Sequence, residues 1–176
     1  MKALLSVLIV TAILANIAQG LEPPKNGGVY VIAHRGAHDG IPENTLAAYQ
    51  RAIDLGADFV EIDVRTTKDN KLVSIHNRTI DAYTNGIKKG NVADFTLAEL
   101  KALDIGSRVD ERWKNERVPT LEEILKLCQG KIGIYLDLKN GSVEVVVKQI
   151  RAHKMEHRVL WCISPSRVAE VRRHCP

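Results

Sequence analysis

Phe59-Val60-Glu61-Ile62-Asp63-Val64-Arg65 constrains the fold more than any other stretch of the chain. Side chains alternate across a strand, so Phe59, Glu61, Asp63 and Arg65 share one face while Val60, Ile62 and Val64 share the other. The two carboxylates then sit about 7 Å apart along a strand whose opposite face is apolar, close enough for two oxygens to converge on one hard cation. Taken by itself, the stretch also fits an amphipathic edge strand with solvated acids. Three further polar clusters weigh against that reading, because each closes another strand: His34-Arg35-Gly36, His76, and Asp137-Leu138-Lys139.

The order of elements follows from periodicity and punctuation. Val29 to Ala33 is a continuous apolar run, as expected for a strand buried on both faces of a parallel sheet. A loop to Pro42 leads into a helix that Asn44 can cap, with Leu46, Tyr49, Ala52 and Ile53 on one face and Gly56 as the stop. The strand at Phe59 completes a βαβ unit. Leu72 to His76 is next; a tight turn at Asp69-Asn70 would set Asp63 opposite His76 in a hairpin, and a parallel excursion is the alternative. Thr96 with Glu99 and Thr120 with Glu123 are capping boxes that start two helices. Between them, 104–119 lacks periodicity and reads as a surface loop. Lys131 to Leu138 and Arg158 to Ile163 are strands, each followed by a helix: Val143, Val146, Val147 and Ile150 face inward on one, Val168 and Val171 on the other.

Lys2, an apolar run from Ala3 to Leu14 broken only by Ser6 and Thr11, and Ala18-Gln19-Gly20 have the layout of a secretory signal peptide. The run is short for a membrane span, which argues against an uncleaved anchor. Residues 1–20 are therefore expected to be removed on export to a secreted or periplasmic location, leaving one domain over 29–176. Lys and Arg number 25 against 21 Asp and Glu, a net charge of +4. The basic residues are scattered among acids rather than gathered with aromatics, which argues against a nucleic acid partner. Cys128, Cys162 and Cys175 form no CxxC pair, so neither a zinc site nor a disulfide framework is indicated.

In α/β barrels, residues distant in sequence converge at the carboxyl ends of the strands, which is where each polar cluster falls. Glu61, Asp63 and Asp137 offer oxygen ligands suited to Mg2+ or Ca2+, with no soft ligand to favour zinc. The alternative for each acid is a structural ion pair with Arg65 or Lys139. His34 and His76 are candidates for proton donor and acceptor near neutral pH. Arg35 and Lys139 add fixed positive charge where a phosphate would gather negative charge.

These residues stand in an ordered set of motifs: Ile32-Ala33-His34-Arg35-Gly36, Pro42-Glu43-Asn44-Thr45, Glu61-Ile62-Asp63-Val64 with Thr67-Lys68-Asp69, Ser74-Ile75-His76, Val118-Pro119-Thr120-Leu121-Glu122-Glu123 and Leu136-Asp137-Leu138-Lys139. Through them the chain resembles the glycerophosphodiester phosphodiesterase family. The resemblance implies a (β/α)8 barrel that hydrolyses small glycerophosphodiesters to glycerol 3-phosphate and an alcohol with a divalent cation. It implies His34 and His76 as the acid–base pair, Arg35 and Lys139 at the phosphate, and Glu61, Asp63 and Asp137 at the metal. Asp137 stands where the family usually has glutamate, which implies a weaker or water-mediated metal contact. Asn77 stands where the family generally has aspartate, which implies weaker support for the His76 loop. A barrel of this kind takes about 250 residues, and the chain has 176. About five strands can be counted, so an incomplete, C-terminally truncated barrel is expected. A related secreted lipid phosphodiesterase resembling sphingomyelinase D and an inactive truncated fragment are the competing readings. Peripheral contact with a membrane or lipid remains open, as does the oligomeric state.

Overall fold

The computed structural model describes residues 21–174. The expected signal peptide and Cys175 lie outside the described residues. No helix among the described residues is long and apolar enough to cross a membrane.

The chain runs β1 (Ile32–Ala33), α1 (Leu46–Asp54), β2 (Phe59–Thr66), β3 (Leu72–Ser74), α2 (Leu97–Lys101), α3 (Leu121–Cys128), β4 (Gly133–Leu138), α4 (Val143–Ala152), β5 (Val159–Cys162) and α5 (Pro165–His174). The five expected strands form one sheet. β1, β2, β4 and β5 are parallel and lie side by side in chain order, while β3 branches antiparallel from β2. Each new parallel strand is added on the same side of the last, which is the winding of a (β/α)8 barrel and not of a doubly wound sheet.

Alternation along the strands separates two surfaces. Val60, Ile62 and Val64 of β2 and Ile134, Leu136 and Leu138 of β4 pack under α1, α3 and α4, whose Tyr49, Ala52, Leu121, Ile124, Leu125, Val143, Val146 and Ile150 complete the core. Cys128 is buried among them, and burial pushes its thiol up to about 12, so it is inert packing. The opposite, axis-facing surface carries Glu61, Asp63, Tyr135, Asp137 and Lys139. Here Gly133 faces Phe59 across the register, and a Cβ at Gly133 would come within 2.4 Å of the phenyl ring. A second cluster, built from Val73, Ile75, Ile80, Tyr83, Val92, Phe95, Leu100, Ile105 and Val118, forms the core of the long connection between β3 and β4.

Three sequence expectations need correction, and one alternative is excluded. The edge-strand reading of β2 fails, because β2 is central and its first six residues are all buried. The run Val29 to Ala33 is not buried on both faces. Among the described residues β1 has a strand neighbour on one side only, and Val29, Tyr30 and Val31 are 73%, 40% and 44% exposed. β2 and β3 do form a hairpin, but Thr66 pairs with Leu72, so Asp63 faces Ile75 and not His76. Its loop is Thr67 to Lys71, closed by Thr67 N–H to Lys71 O (2.9 Å) and Lys71 N–H to Thr67 Oγ1 (2.9 Å), with Asn70 at φ 58°. An odd loop of this kind slips the register by one from that of a two-residue turn. Lastly, Val171 is buried but Val168 is 39% exposed, so the two do not share one inward face.

The amino ends of the strands are closed by residues 22–31. Asp58, at the start of β2, accepts hydrogen bonds from Lys25 N (2.7 Å) and Val31 N (2.8 Å). Lys25 Nζ donates to Ala57 O (2.8 Å) and Lys131 O (3.1 Å), and Glu22 pairs with Arg158. The two backbone donors hold the Asp58 carboxyl below the usual carboxylate range, so its grip is present above the ordinary carboxylate pKa and is lost as pH falls through the lowered one. Asp58→Ala is expected to speed proteolytic cleavage within residues 21–31 while leaving hydrogen exchange in β2 and β4 unchanged. Equal cleavage rates in both proteins would show that Asp58 does not hold this segment.

Candidate active site

β2 and β4 pair in register with Asp63 beside Asp137, and Glu61 lies one alternation further back on the same face. One oxygen from each of these three carboxylates lies within 4.8 Å of the other two. Lys139, just past the end of β4, brings its ammonium 3.0 Å from Asp63 Oδ1 and 2.5 Å from Asp137 Oδ2. Burial acts to lower the Lys139 pKa, but the bonds to the two aspartates outweigh it and hold the group above its usual value. Both sequence readings of Asp63 and Asp137 are thus present together: they are a clustered donor set, and they are paired with Lys139. Among the ion pairs of the described residues, Arg65 has none with the three acids and donates instead to Ile75 O and His76 O.

Charge is in excess here. Glu61 is 6% exposed, and burial first, then the charges of Asp63 and Asp137, push its pKa up to about 7 against the backbone hydrogen bond from Arg35 and the charge of Lys139. Asp63 is 1% exposed, and its Oδ1 carries no well-aligned hydrogen bond, Lys139 approaching at an angle. Three carboxylates drawn together, with the buried Asp63 Oδ1 met by the Lys139 ammonium at a poor hydrogen-bond angle, suit a hard divalent cation.

The turn after β1 delivers the next pair. Arg35 (φ 54°) and Gly36 (φ 85°) reverse the chain, with Gly36 N–H bonded to Ala33 O at 3.1 Å. Arg35 N–H donates to Glu61 Oε2 at 2.8 Å, and His34 Nε2 lies 4.0 Å from the same oxygen. The Arg35 side chain spans from Glu43 Oε2 (3.0 Å) to Asp63 Oδ2 (3.7 Å).

His76 comes to the same rim by its backbone. Ile75 N–H donates to Asp63 O at 2.9 Å, and the Arg65 guanidinium donates to His76 O at 2.7 Å through Nη2. Its ring is turned to Asn77, with Nδ1 at 3.0 Å from Oδ1, and makes no ion pair with the three acids among the described residues. The support that the resemblance implied would be weakened is therefore present, supplied by an amide in place of a carboxylate. In the tautomer in which Nδ1–H donates to that amide oxygen, Nε2 is the ring nitrogen that exchanges a proton. Asn77 N–H in turn donates to Tyr83 Oη (3.1 Å), and Tyr83 donates to Glu43 Oε1 (3.3 Å), so Glu43 joins the His34-Arg35 turn to the His76 loop.

Six of the seven residues singled out from sequence are thereby linked directly through side chains or the Arg35 amide, and His76 joins them through main chain. Arg65, Glu43, Tyr83 and Asn44 were missed as parts of the site. Asn44 was read as the helix cap, but Thr45 is the cap, its Oγ1 accepting from Ala48 N–H at 3.2 Å. Two adjacent residues able to cap one helix were the available signal that one of them does something else.

Residues 34–167 match the model of the glycerophosphoryl diester phosphodiesterase family. The chain belongs to this family. It is 45% identical over 137 residues to a glycerophosphodiester phosphodiesterase of Caldanaerobacter subterraneus subsp. tengcongensis, covering 74% of this chain and 56% of that protein. It is 46% identical over 121 residues to a putative glycerophosphodiester phosphodiesterase of Bacillus subtilis, covering 69% and 49%. The chain thus spans about half the length of the curated relatives it matches. Among solved structures, it resembles a glycerophosphodiester phosphodiesterase of Agrobacterium tumefaciens, with TM-score 0.78, 33% identity, and 85% of this chain against 64% of that one covered. An Oleispira antarctica phosphodiesterase in complex with sn-glycerol-3-phosphate is similar at TM-score 0.65 and 32% identity, over 76% and 56%. These likenesses bear out the (β/α)8 barrel, here as an arc of it. All seven residues singled out from sequence fall inside the glycerophosphoryl diester phosphodiesterase match.

Proposed function

We propose that this protein hydrolyses glycerophosphodiesters to glycerol 3-phosphate and an alcohol, using a divalent cation held by Glu61, Asp63 and Asp137. The observation that carries the reading is the meeting of those three carboxylates, from two neighbouring strands, with Lys139, Arg35 and His34 around them. Mg2+ or Ca2+, when bound, would withdraw charge from the phosphate oxygens. Arg35 and Lys139 contact the phosphate and stabilise the negative charge that builds on it. His34 and His76 carry the protons: one takes a proton from the attacking oxygen, and the other gives a proton to the departing alkoxide, so that water is consumed overall. Residues 1–20 add export to a secreted or periplasmic location to the proposal.

The decisive assay offers the chain glycerophosphocholine and sphingomyelin in separate reactions with Mg2+ or Ca2+. Release of glycerol 3-phosphate and choline from the first alone supports the proposal. Cleavage of sphingomyelin alone would favour the related lipid phosphodiesterase, and a folded chain that turns over neither would favour an inactive fragment or binding module. Glu61→Gln is expected to raise the metal concentration for half-maximal activity about tenfold or more, since ligand sets are at least as sensitive as the groups that support them. An unchanged metal titration would remove Glu61 from the ligand set.

A further inference from the structure

Asp63 has two oxygens in different surroundings, and the difference traces to a polar cluster that acid–base and metal chemistry leave unused. Asp63 Oδ2 accepts from Asn44 Nδ2 at 2.9 Å. Asn44 Oδ1 lies 2.8 Å from Tyr49 Oη and 3.1 Å from Ser74 Oγ, and those two hydroxyls are 2.8 Å apart. Asn44, Tyr49, Ser74 and Asp63 are each at most 1% exposed. Four polar side chains from the loop before α1, from α1, from β3 and from β2 therefore meet with no access to water.

We propose that Asn44 is a positioning residue of the carboxylate centre: its amide holds Asp63 by one oxygen so that the other, Oδ1, is presented to the cation. This rests on the metal reading given above. The amide can face only one way. The Tyr49 and Ser74 hydroxyls carry two protons for three contacts, and in either arrangement of that ring at least one proton is donated to Asn44 Oδ1. The reverse orientation would set a carbonyl oxygen against the acceptor-only Asp63 carboxylate inside the protein, where an unmatched polar pair costs most. Asn44 also sits at φ 54°, a conformation that Asn tolerates better than most residues, and its N–H donates to Arg35 O at 3.0 Å. The amide is thereby fixed at both ends, by main chain to the His34-Arg35 turn and by two hydroxyls to α1 and β3.

The test measures Mn2+ affinity of the chain by titration calorimetry, with the melting temperature followed in parallel. Tyr49→Phe removes one hydroxyl and keeps the ring; Asn44→Gly removes the amide and keeps the left-handed backbone. The expected result is a dissociation constant weaker by about 10- to 100-fold for Asn44→Gly and by a smaller factor in the same direction for Tyr49→Phe. Thr45→Ala is the control, because it removes the helix cap and the hydroxyl's bond to Pro42 O (2.6 Å) but no contact of the Asn44 amide; it should lower the melting temperature and leave Mn2+ affinity unchanged. If the unsubstituted chain binds Mn2+ and both relay variants match it, the positioning role is refuted while the metal site stands. If Thr45→Ala weakens binding as much as they do, the effect is general loosening and the positioning role is refuted too. If the unsubstituted chain takes up no Mn2+, the metal reading falls and this inference falls with it.

Discussion

Replacing either His34 or His76 by alanine should lower the turnover of glycerophosphocholine by about 10²- to 10⁴-fold, the range for loss of a positioned acid or base. The two losses should differ in their side effects. His34 stands at the mouth, its side chain 67% exposed, 4.0 Å from a Glu61 oxygen that also accepts the Arg35 amide at 2.8 Å. Its removal leaves the carboxylates in place and takes away no ligand oxygen, so metal affinity should hold or rise slightly while kcat collapses. His76 is tied to its surroundings by main chain, through the Arg65 guanidinium on its carbonyl and the Ile75 amide on Asp63 O. Deleting its side chain removes the Nδ1 contact to Asn77 Oδ1 but neither of these main-chain bonds, so His76→Ala should leave metal titration untouched. A variant pair that keeps full activity, or that loses activity only in step with metal affinity, would take the proton-carrying role away from the imidazoles.

The main course of the fold was legible because β2, β4 and their helices obey simple periods. Ile134, Leu136 and Leu138 alternate with Tyr135 and Asp137 as read from the sequence, and both capping boxes sit at the starts of α2 and α3. The slip at β3 was not legible, since the choice between a two-residue and a five-residue loop depends on Thr67 closing onto Lys71, and Asp69-Asn70 fits either. The burial of the connection from Ile80 to Val118 was hidden for a different reason. Its apolar side chains come from short turns and loop positions such as Tyr83, Val92 and Ile105, which have no common period but share one core. The centre itself was read as residue types at strand ends, and three acids with two cations follow from that. Its supports were not, because Glu43, Tyr83 and Asn44 reach the centre from loops whose paths no local pattern fixes.

Gly36→Ala should destabilise the protein by about 3 kcal/mol, combining about 1–2 kcal/mol for an L-residue in the left-handed region with about 1–3 kcal/mol for overpacking. Gly36 has φ 85°, and a Cβ there would lie 2.7 Å from Ala48 C, 2.8 Å from Ala48 Cβ and 2.9 Å from Ala48 O. Two of those three atoms are main chain of α1, which cannot move aside cheaply. Ala48, Tyr49 and Ala52 bury that face of α1 completely or nearly so, and Ala37 N–H is bonded to Ala48 O at 3.0 Å. The turn must yield in place of the helix, and it carries Arg35 N–H away from Glu61 and His34 away from the mouth. Urea unfolding measures the first effect as a fall in midpoint with unchanged slope, and metal titration measures the second. Gly56→Ala separates strain from crowding, since Gly56 has φ 76° but nothing within 4 Å of its Cβ position. It should cost about 1 kcal/mol and leave the metal titration unaffected. Equal costs at the two glycines would mean that the close approach of α1 plays no part, and that backbone strain alone explains why glycine follows His34-Arg35.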